Sequence, residues 1–189
     1  MKYFYDTEFI EDGTTIDLIS IGIVAEDGRT YYAISTEFNA KKADDWVKEN
    51  VLSKLPPMKV DLSDPTISPN IKEQSMSWKS LEQIRKDIIA FVGEDKPELW
   101  AYYADYDHVV LCQLFGRMID LPDNFPMYTR DIKQLCDSVG NPRLPEQGKG
   151  EHNALADAKW NMQAYNFLQK HTEVRAKKLC WNCFKNILK

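Results

Sequence analysis

Two hydrophobic periods alternate along the chain, and the switch from one to the other marks out its elements. Residues 3–9, Tyr-Phe-Tyr-Asp-Thr-Glu-Phe, are aromatic and β-prone, and residues 16–25 form a nearly unbroken apolar, β-branched run. The first predicts a strand, the second a strand covered on both faces. Asp12-Gly13 and Asp27-Gly28 carry tight-reversal chemistry, so a third strand over 30–36 completes an antiparallel meander. Residues 41–52, with Trp46, Val47 and Val51 on one side, predict a short helix. From 55 to 77 four prolines among Ser, Asp and Asn break both periods and predict a long surface loop, of the kind that is functional or mobile in compact domains.

Regularity then resumes. Leu81, Ile84, Ile88 and Phe91 recur at spacings of three and four and predict a helix over 77–91 with a serine cap. Residues 98–103 are strand-like and 109–115 helical, the helix-strand-helix order that adds a parallel strand to a sheet. A short strand over 127–129, a short helix over 131–139 and a Pro- and Gly-bearing loop over 140–150 follow. The last strong signal is an amphipathic helix over 153–170, with Leu155, Ala158, Met162, Tyr165 and Leu168 on one face. Trp46, Trp100, Tyr165 and Phe167 are expected in the core.

Composition narrows the class. A chain of 189 residues suits one domain, and 43% hydrophobic with 28% charged residues excludes a disordered or fibrous protein. No run approaches the ~20 apolar residues of a membrane span, and Met1-Lys2-Tyr3 leads into polar sequence, so a soluble, cytoplasmic protein without membrane attachment is expected. Cys112, Cys136, Cys180 and Cys183 are few and irregularly spaced, which predicts reduced thiols. The net charge of −5 argues against coating long duplexes by neutralising many phosphates. Charge is also uneven: residues 169–189 carry six Lys or Arg and one Glu, a basic tail suited to nucleic acid or to a solvated helix face.

The chemistry starts at Asp6 and Glu8. Two residues apart on a strand, they project from one face about 6.5–7 Å apart. Two like charges there repel and resist desolvation unless a proton or a cation compensates them. A lone Asp-x-Glu is equally at home on a solvated strand, so the rest of the chain decides. Asp107 sits at the strand-to-helix junction, with Asp105 a competing acid in the same turn. His152 and Asp157 open the last amphipathic helix, a little more than one turn apart. Together these residues make four carboxylates and a histidine. Cys180-x-x-Cys183 supplies half of a zinc site with no second pair beside it, so neither zinc nor redox chemistry is assigned to it.

Asp6-x-Glu8, Tyr106-Asp107 and His152-x4-Asp157 resemble, in order and spacing, the three motifs of the DEDDh 3′-to-5′ exonucleases of the RNase H-like superfamily. Tyr-Phe-Tyr-Asp-Thr-Glu-Phe-Ile-Glu-Asp-Gly, Leu-Ile-Ser-Ile-Gly-Ile-Val-Ala-Glu-Asp-Gly-Arg, Tyr-Asp-His-Val and Leu-Cys-Gln-Leu are further similar to the polyadenylate-specific exoribonucleases of the RNase AS type. The resemblance covers residues 1–168 and is patchy across 55–77.

It implies an RNase H-like α/β fold, a mixed five-stranded sheet with an antiparallel N-terminal meander flanked by helices. Residues 1–170 would form the exonuclease domain and 171–189 a basic tail extending the final helix. The implied activity is metal-dependent 3′-to-5′ exoribonuclease release of nucleoside 5′-monophosphates from single-stranded RNA ends, with adenylate-rich tails favoured and a homodimeric assembly. The alternatives are a DNA or short-oligonucleotide exonuclease and a nucleic-acid-binding module that does not cleave.

Two Mg2+ ions, or Mn2+ in their place, suit carboxylate oxygen and the charge of a transferred phosphate. Asp6 would bridge them, Glu8, Asp107 and Asp157 would complete their shells, and His152 would act as general base on the attacking water. Asp107 is preferred to Asp105 because the family's motif has an aromatic residue before its aspartate, here Tyr106. Thr7, Phe9, Ile19 and Ser20, beside the acidic strand, are candidates for the terminal nucleotide, with His108 and Trp78 behind them.

Overall fold

Among the described residues of the computed structural model the sheet has six strands, in the order 78–79, 30–35, 16–25, 2–11, 98–101 and 130–131. The structure describes residues 1–148 and 150–187; beyond residue 172 it describes the path of the final helix and no side chains. β1 (Lys2–Glu11), β2 (Ile16–Ala25) and β3 (Thr30–Ser35) form the antiparallel meander, turned at Gly13 (φ +80°) and Gly28 (φ +93°). In both turns a backbone in the left-handed region needs a residue without a Cβ.

The remaining strands are parallel additions. β5 (Glu98–Ala101) pairs with β1 from Lys2↔Glu98 to Phe4↔Trp100, β4 (Trp78–Lys79) pairs with β3, and β6 (Arg130–Asp131) pairs with β5. The five strands read from the sequence therefore become six. The sixth is β4, whose two residues lie where the helix was expected to begin, while the strand expected at 127–129 lies one step later, at 130–131. Two residues are too few to show a period, and each strand exists because a neighbouring edge offers backbone partners.

The helices pack on both faces. α1 (Asp45–Asn50), shorter than the expected 41–52, is flanked by single 3-10 turns, and α2 (Pro69–Ser75) interrupts the expected 55–77 loop, with Ser68 capping it through its side chain. α3 (Leu81–Val92) starts at the cap Ser80, whose hydroxyl accepts from the Gln83 amide. α4 (Asp105–Gln113) begins four residues earlier than expected, so Asp107 lies in its first turn. α5 (Ile132–Ser138) and α6 (Ala154–Ile187) follow.

One face of the sheet, with Tyr3, Tyr5, Ile21 and Ile23, packs against Ile84 and Ile88 of α3 and Val110 and Leu111 of α4. The other, with Phe4 and Trp100, packs against Ile132 of α5 and Trp160, Ala164, Tyr165 and Leu168 of α6. Trp100 and Tyr165 are buried as expected and Phe167 is partly so, but Trp46 is 53% exposed. A six-residue helix at the edge of the domain has no layer above it in which to bury an indole.

Candidate active site

β1 supplies the first two acids. Alternation sends Phe4, Asp6 and Glu8 to the face that α6 covers, and the ladder sets Asp6 opposite Gly22 and Glu8 opposite Ser20. A Cβ on Gly22 would stand 2.3 Å from the backbone oxygen of Ala154 and 2.4 Å from the Cα of Leu155, so glycine lets the first turn of α6 lie directly on the sheet. That seating brings Asp157 to the strand acids. One ligating oxygen each of Asp6, Glu8 and Asp157 all lie within 4.8 Å of one another.

Neutral hydrogen bonds hold the helix there. Asn161, one turn beyond Asp157 on the same buried stripe, donates Nδ2 to the carbonyl of Tyr5 at 2.9 Å. Gln147 Nε2 donates to Asp157 Oδ1 at 2.5 Å, and the His152 amide to Asp157 Oδ2 at 2.9 Å, so both oxygens of Asp157 are oriented by uncharged donors. The amide of His152 is available because its backbone turns through φ +66°, a left-handed conformation that is strained for a side chain of this size. Asn153 then caps α6 by accepting from the Ala156 amide. The His152 ring stands edge-on to Trp46, centroids 4.8 Å apart, and Lys54 Nζ holds the Glu151 carbonyl just before it at 3.3 Å.

Asp107 enters from the other side of β1. The β1–β5 ladder ends at Phe4↔Trp100, and further along that edge Asp107 Oδ1 accepts from the Thr7 amide at 2.8 Å and from the Thr7 hydroxyl at 2.6 Å. Asp105 is exposed, while Asp107 is buried next to Asp6, whose charge it opposes.

The carboxyls bear the electrostatic strain. Burial, followed by repulsion from Asp107, Glu8 and Asp157, pushes Asp6 well above the usual carboxylate range. Burial and then Asp157 and Asp107 push Glu8 up to about 8, and burial pushes Asp107 up to about 6 against the two bonds from Thr7. Asp157 is raised by burial and eased by Gln147 and His152. Such a set near neutral pH either keeps protons or takes up a cation. All its donors are carboxylate oxygens, which fit hard ions such as Mg2+ or Mn2+.

Asp6, Glu8 and Asp157, but not Asp107, line a cleft of about 340 Å³ between α1 and the start of α6, lined also by Phe9, Trp46, Val47, Tyr102, His152 and Trp160. Among the described residues, the carboxylates Glu11 and Asp44 line it too, and no Lys or Arg does. Of the expected nucleotide contacts, Phe9 and Thr7 line this cleft, with the Thr7 hydroxyl committed to Asp107. The other four do not line it. Ile19 is fully buried with Ile10, Ala43 and Val51, and the change of register between Glu8 and Phe9 skips it. Ser20 is 1% exposed in β2, Trp78 donates to the Pro56 carbonyl and stacks on Phe38, and His108 Nε2 lies 3.7 Å from Cys112 Sγ. Cys180 and Cys183 fall outside the residues whose side chains are described.

Four residues that shape the cleft are not among those expected at the site. Trp46, expected in the core, lines it instead. Gly22 carries a legible sign, a glycine inside a β-branched strand, and so does Asn161, a polar residue among the buried positions of an amphipathic helix. Gln147 lies in an irregular loop, and nothing in the pattern marks it.

Comparison with known proteins gives a consistent family. The family model described as the 3′-5′ exoribonuclease Rv2179c-like domain matches residues 1–169. The 3′-5′ exoribonucleases Rv2179c and MT2234.1 of two Mycobacterium tuberculosis strains are each 47% identical over 171 residues, covering 89% of this chain and 93% of theirs. In fold, the chain is similar to E. coli exonuclease I in complex with a dT13 oligonucleotide, with a TM-score of 0.58 at 11% identity, covering 94% of this chain and 43% of that one. The zinc-bound form of the E. coli exonuclease I–single-stranded DNA complex matches with a TM-score of 0.57 at 12% identity, covering 97% of this chain and 42% of that one. These likenesses establish the RNase H-like fold.

Proposed function

The chain belongs to the Rv2179c-like family of 3′-5′ exoribonucleases, and from that premise we propose a divalent-metal-dependent hydrolase that trims single-stranded RNA to nucleoside 5′-monophosphates, preferring adenylate. The observation that carries the metal dependence is the convergence of Asp6, Glu8 and Asp157 oxygens within 4.8 Å, with Asp107 beside them and no cationic side chain among the described lining residues. A scissile phosphate cannot approach that many carboxylates unless their charge is compensated. Asp6, Glu8, Asp107 and Asp157 would hold the ions. Divalent ions held there would neutralise charge on the phosphate and lower the pKa of a bound water.

The chain's own residues do the remainder. His152, on its left-handed turn against Trp46, takes the proton from the attacking water as general base. Gln147 and the His152 amide fix the plane of Asp157, and Thr7 fixes Asp107, so the ligand oxygens are oriented before substrate arrives. Trp46 and Phe9 offer aromatic surface to the terminal base, a contact that does not depend on base identity. The adenylate preference rests on the RNase AS resemblance, as does a homodimeric state, which sedimentation equilibrium tests. Cys112 and Cys136 are free thiols, as suits a cytoplasmic enzyme.

The decisive assay incubates 5′-labelled poly(A), poly(U) and single-stranded DNA with Mg2+, Mn2+ or EDTA. Stepwise shortening with AMP release, fastest on poly(A) and only with metal, is expected. Cleavage indifferent to EDTA, or tight binding without products, overturns the proposal.

A further inference from the structure

The catalytic cleft continues into a second hollow. A trough of about 520 Å³ between the C-terminal end of α5, residues 141–147 and α6 shares three of its lining residues, Tyr102, Gln147 and Trp160, with the catalytic cleft. The shared wall is not incidental to the chemistry, because Gln147 is the residue that fixes Asp157 Oδ1. A trough of that volume is within the range that small ligands occupy.

Charge tells the two ends apart. On the α1 side the cleft is lined by Glu11 and Asp44 in addition to the catalytic acids. A 3′-terminal nucleoside suits that side, since the only phosphate it carries is the scissile one at the carboxylates. The rest of an RNA chain brings one phosphate per nucleotide and is repelled there. On the Tyr102 side the trough is lined, among the described residues, by one cation, Arg143, and one acid, Glu151, so it lacks the uncompensated negative charge of the α1 side. Arg143 is 86% exposed and, among the described residues, forms its ion pair with Glu146, itself 82% exposed. An ion pair so wet contributes little, and a phosphate can take the place of Glu146 at small cost, with the bidentate geometry that Arg favours.

We infer that this trough is the subsite for the penultimate nucleotide of the RNA, its base against the Tyr102 and Trp160 wall and its 5′-phosphate on Arg143. The inference rests on the hydrolytic reading of the acidic cleft and extends it, by giving the substrate a direction across the protein. It also gives the enzyme a physical reason to prefer a polynucleotide to a dinucleotide without a 5′-phosphate.

The experiment compares kcat/KM for two minimal substrates, ApA and its 5′-phosphorylated form pApA, in the full-length wild type and in Arg143→Ala and Arg143→Lys, with dinucleotide consumed as the readout, since each cleavage of ApA frees one AMP and each cleavage of pApA two. The wild type should favour pApA by about fivefold to tenfold, the scale of one partly exposed Arg–phosphate contact. Arg143→Ala should bring the pApA/ApA ratio close to one, and Arg143→Lys, which keeps the charge without the bidentate fork, should restore only part of the preference. The wild-type preference should also weaken with added salt. A wild-type ratio of one, or a preference that survives in Arg143→Ala, overturns the subsite while leaving the catalytic reading standing. No AMP from either substrate with Mg2+ or Mn2+ overturns the catalytic reading and the subsite with it.

Discussion

Replacing Glu8 with Gln should make the metal-free protein more stable while destroying its activity. Glu8 is half-buried on β1, with Asp157 and Asp107 opposing its charge, and burial with that repulsion lifts it from 4.5 to about 8. A group whose pKa is raised on folding contributes its full stability below the unfolded value and loses it as pH climbs through the folded one. Glu8 is therefore neutral and harmless near pH 4.5 and becomes a net liability by pH 8.5. At about 1.4 kcal/mol per pH unit the shift sets a ceiling on the order of 5 kcal/mol. Partial exposure and proton sharing with Asp6 reduce the usable part to ~2 kcal/mol.

For a chain of this length that corresponds to a gain of about 4–8 °C in the melting temperature of Glu8→Gln over wild type at pH 8.5 in EDTA. The gap should close by pH 5, where the wild-type carboxyl holds its proton. Millimolar Mg2+ or Mn2+ should then raise the wild type and leave the variant almost unmoved, because stabilisation by a ligand scales with its affinity for the folded state. Melting curves at pH 5 and 8.5, with EDTA and with metal, read all four corners. A variant no more stable than wild type at pH 8.5, or a gap that persists unchanged at pH 5, refutes the electrostatic argument.

Gly22→Ala should cost about 1–3 kcal/mol by urea denaturation and at least tenfold in kcat, since its methyl meets the Ala154 carbonyl oxygen at 2.3 Å and must lift the start of α6 with Asp157 on it; wild-type turnover would show that the helix can shift without moving the acids. Gln147→Leu removes the Nε2 bond to Asp157 and should raise the Mg2+ concentration for half-activation about 10- to 100-fold with far less change at saturation, as metal titrations of rate and calorimetry would record. Asp107→Asn should lose at least about a hundredfold in rate and Asp105→Asn almost none; equal residual activities would overturn the choice between them. Trp46→Ala should raise KM for oligoadenylate about tenfold if its ring stacks on the terminal base, and an unchanged KM would remove it from the substrate site.

How much of this was legible depended on the kind of signal. The β1–β2–β3 meander was readable because strands of ten, ten and six residues joined at Asp-Gly turns are long enough to repeat their period. β4 and β6 were not, because two residues carry no period and their pairing is set by a distant edge. Asp6, Glu8, Asp107, His152 and Asp157 were nameable from residue type, order and spacing. Their oxygens' convergence depends on Gly22 admitting α6 and on Asn161 reaching Tyr5, contacts that span 132 and 156 positions along the chain. Trp46 failed for the opposite reason: an indole with apolar neighbours on a helix reads as core, and only the position of α1 at the domain's edge, beside His152, makes it a wall of the cleft.

The bonds that hold the acids together explain how a fold can keep a self-repelling centre in shape. Thr7 on Asp107, Gln147 and the His152 amide on Asp157, and Asn161 on the Tyr5 carbonyl are all uncharged donors. A lysine or arginine in those places would have neutralised the carboxyls more cheaply, but a permanent internal cation would also compete with a divalent ion for the same oxygens. Neutral donors orient a carboxylate while leaving its charge largely uncompensated. The nearest cationic influence on Glu8, Lys54, lies outside the cleft lining and spends its ammonium on the Glu151 carbonyl. On the proposed reading the unrelieved charge on Asp6 and Glu8 would be the source of affinity for metal, and the stability lost in EDTA at pH 8.5 and that regained with Mg2+ would measure the same repulsion from its two sides.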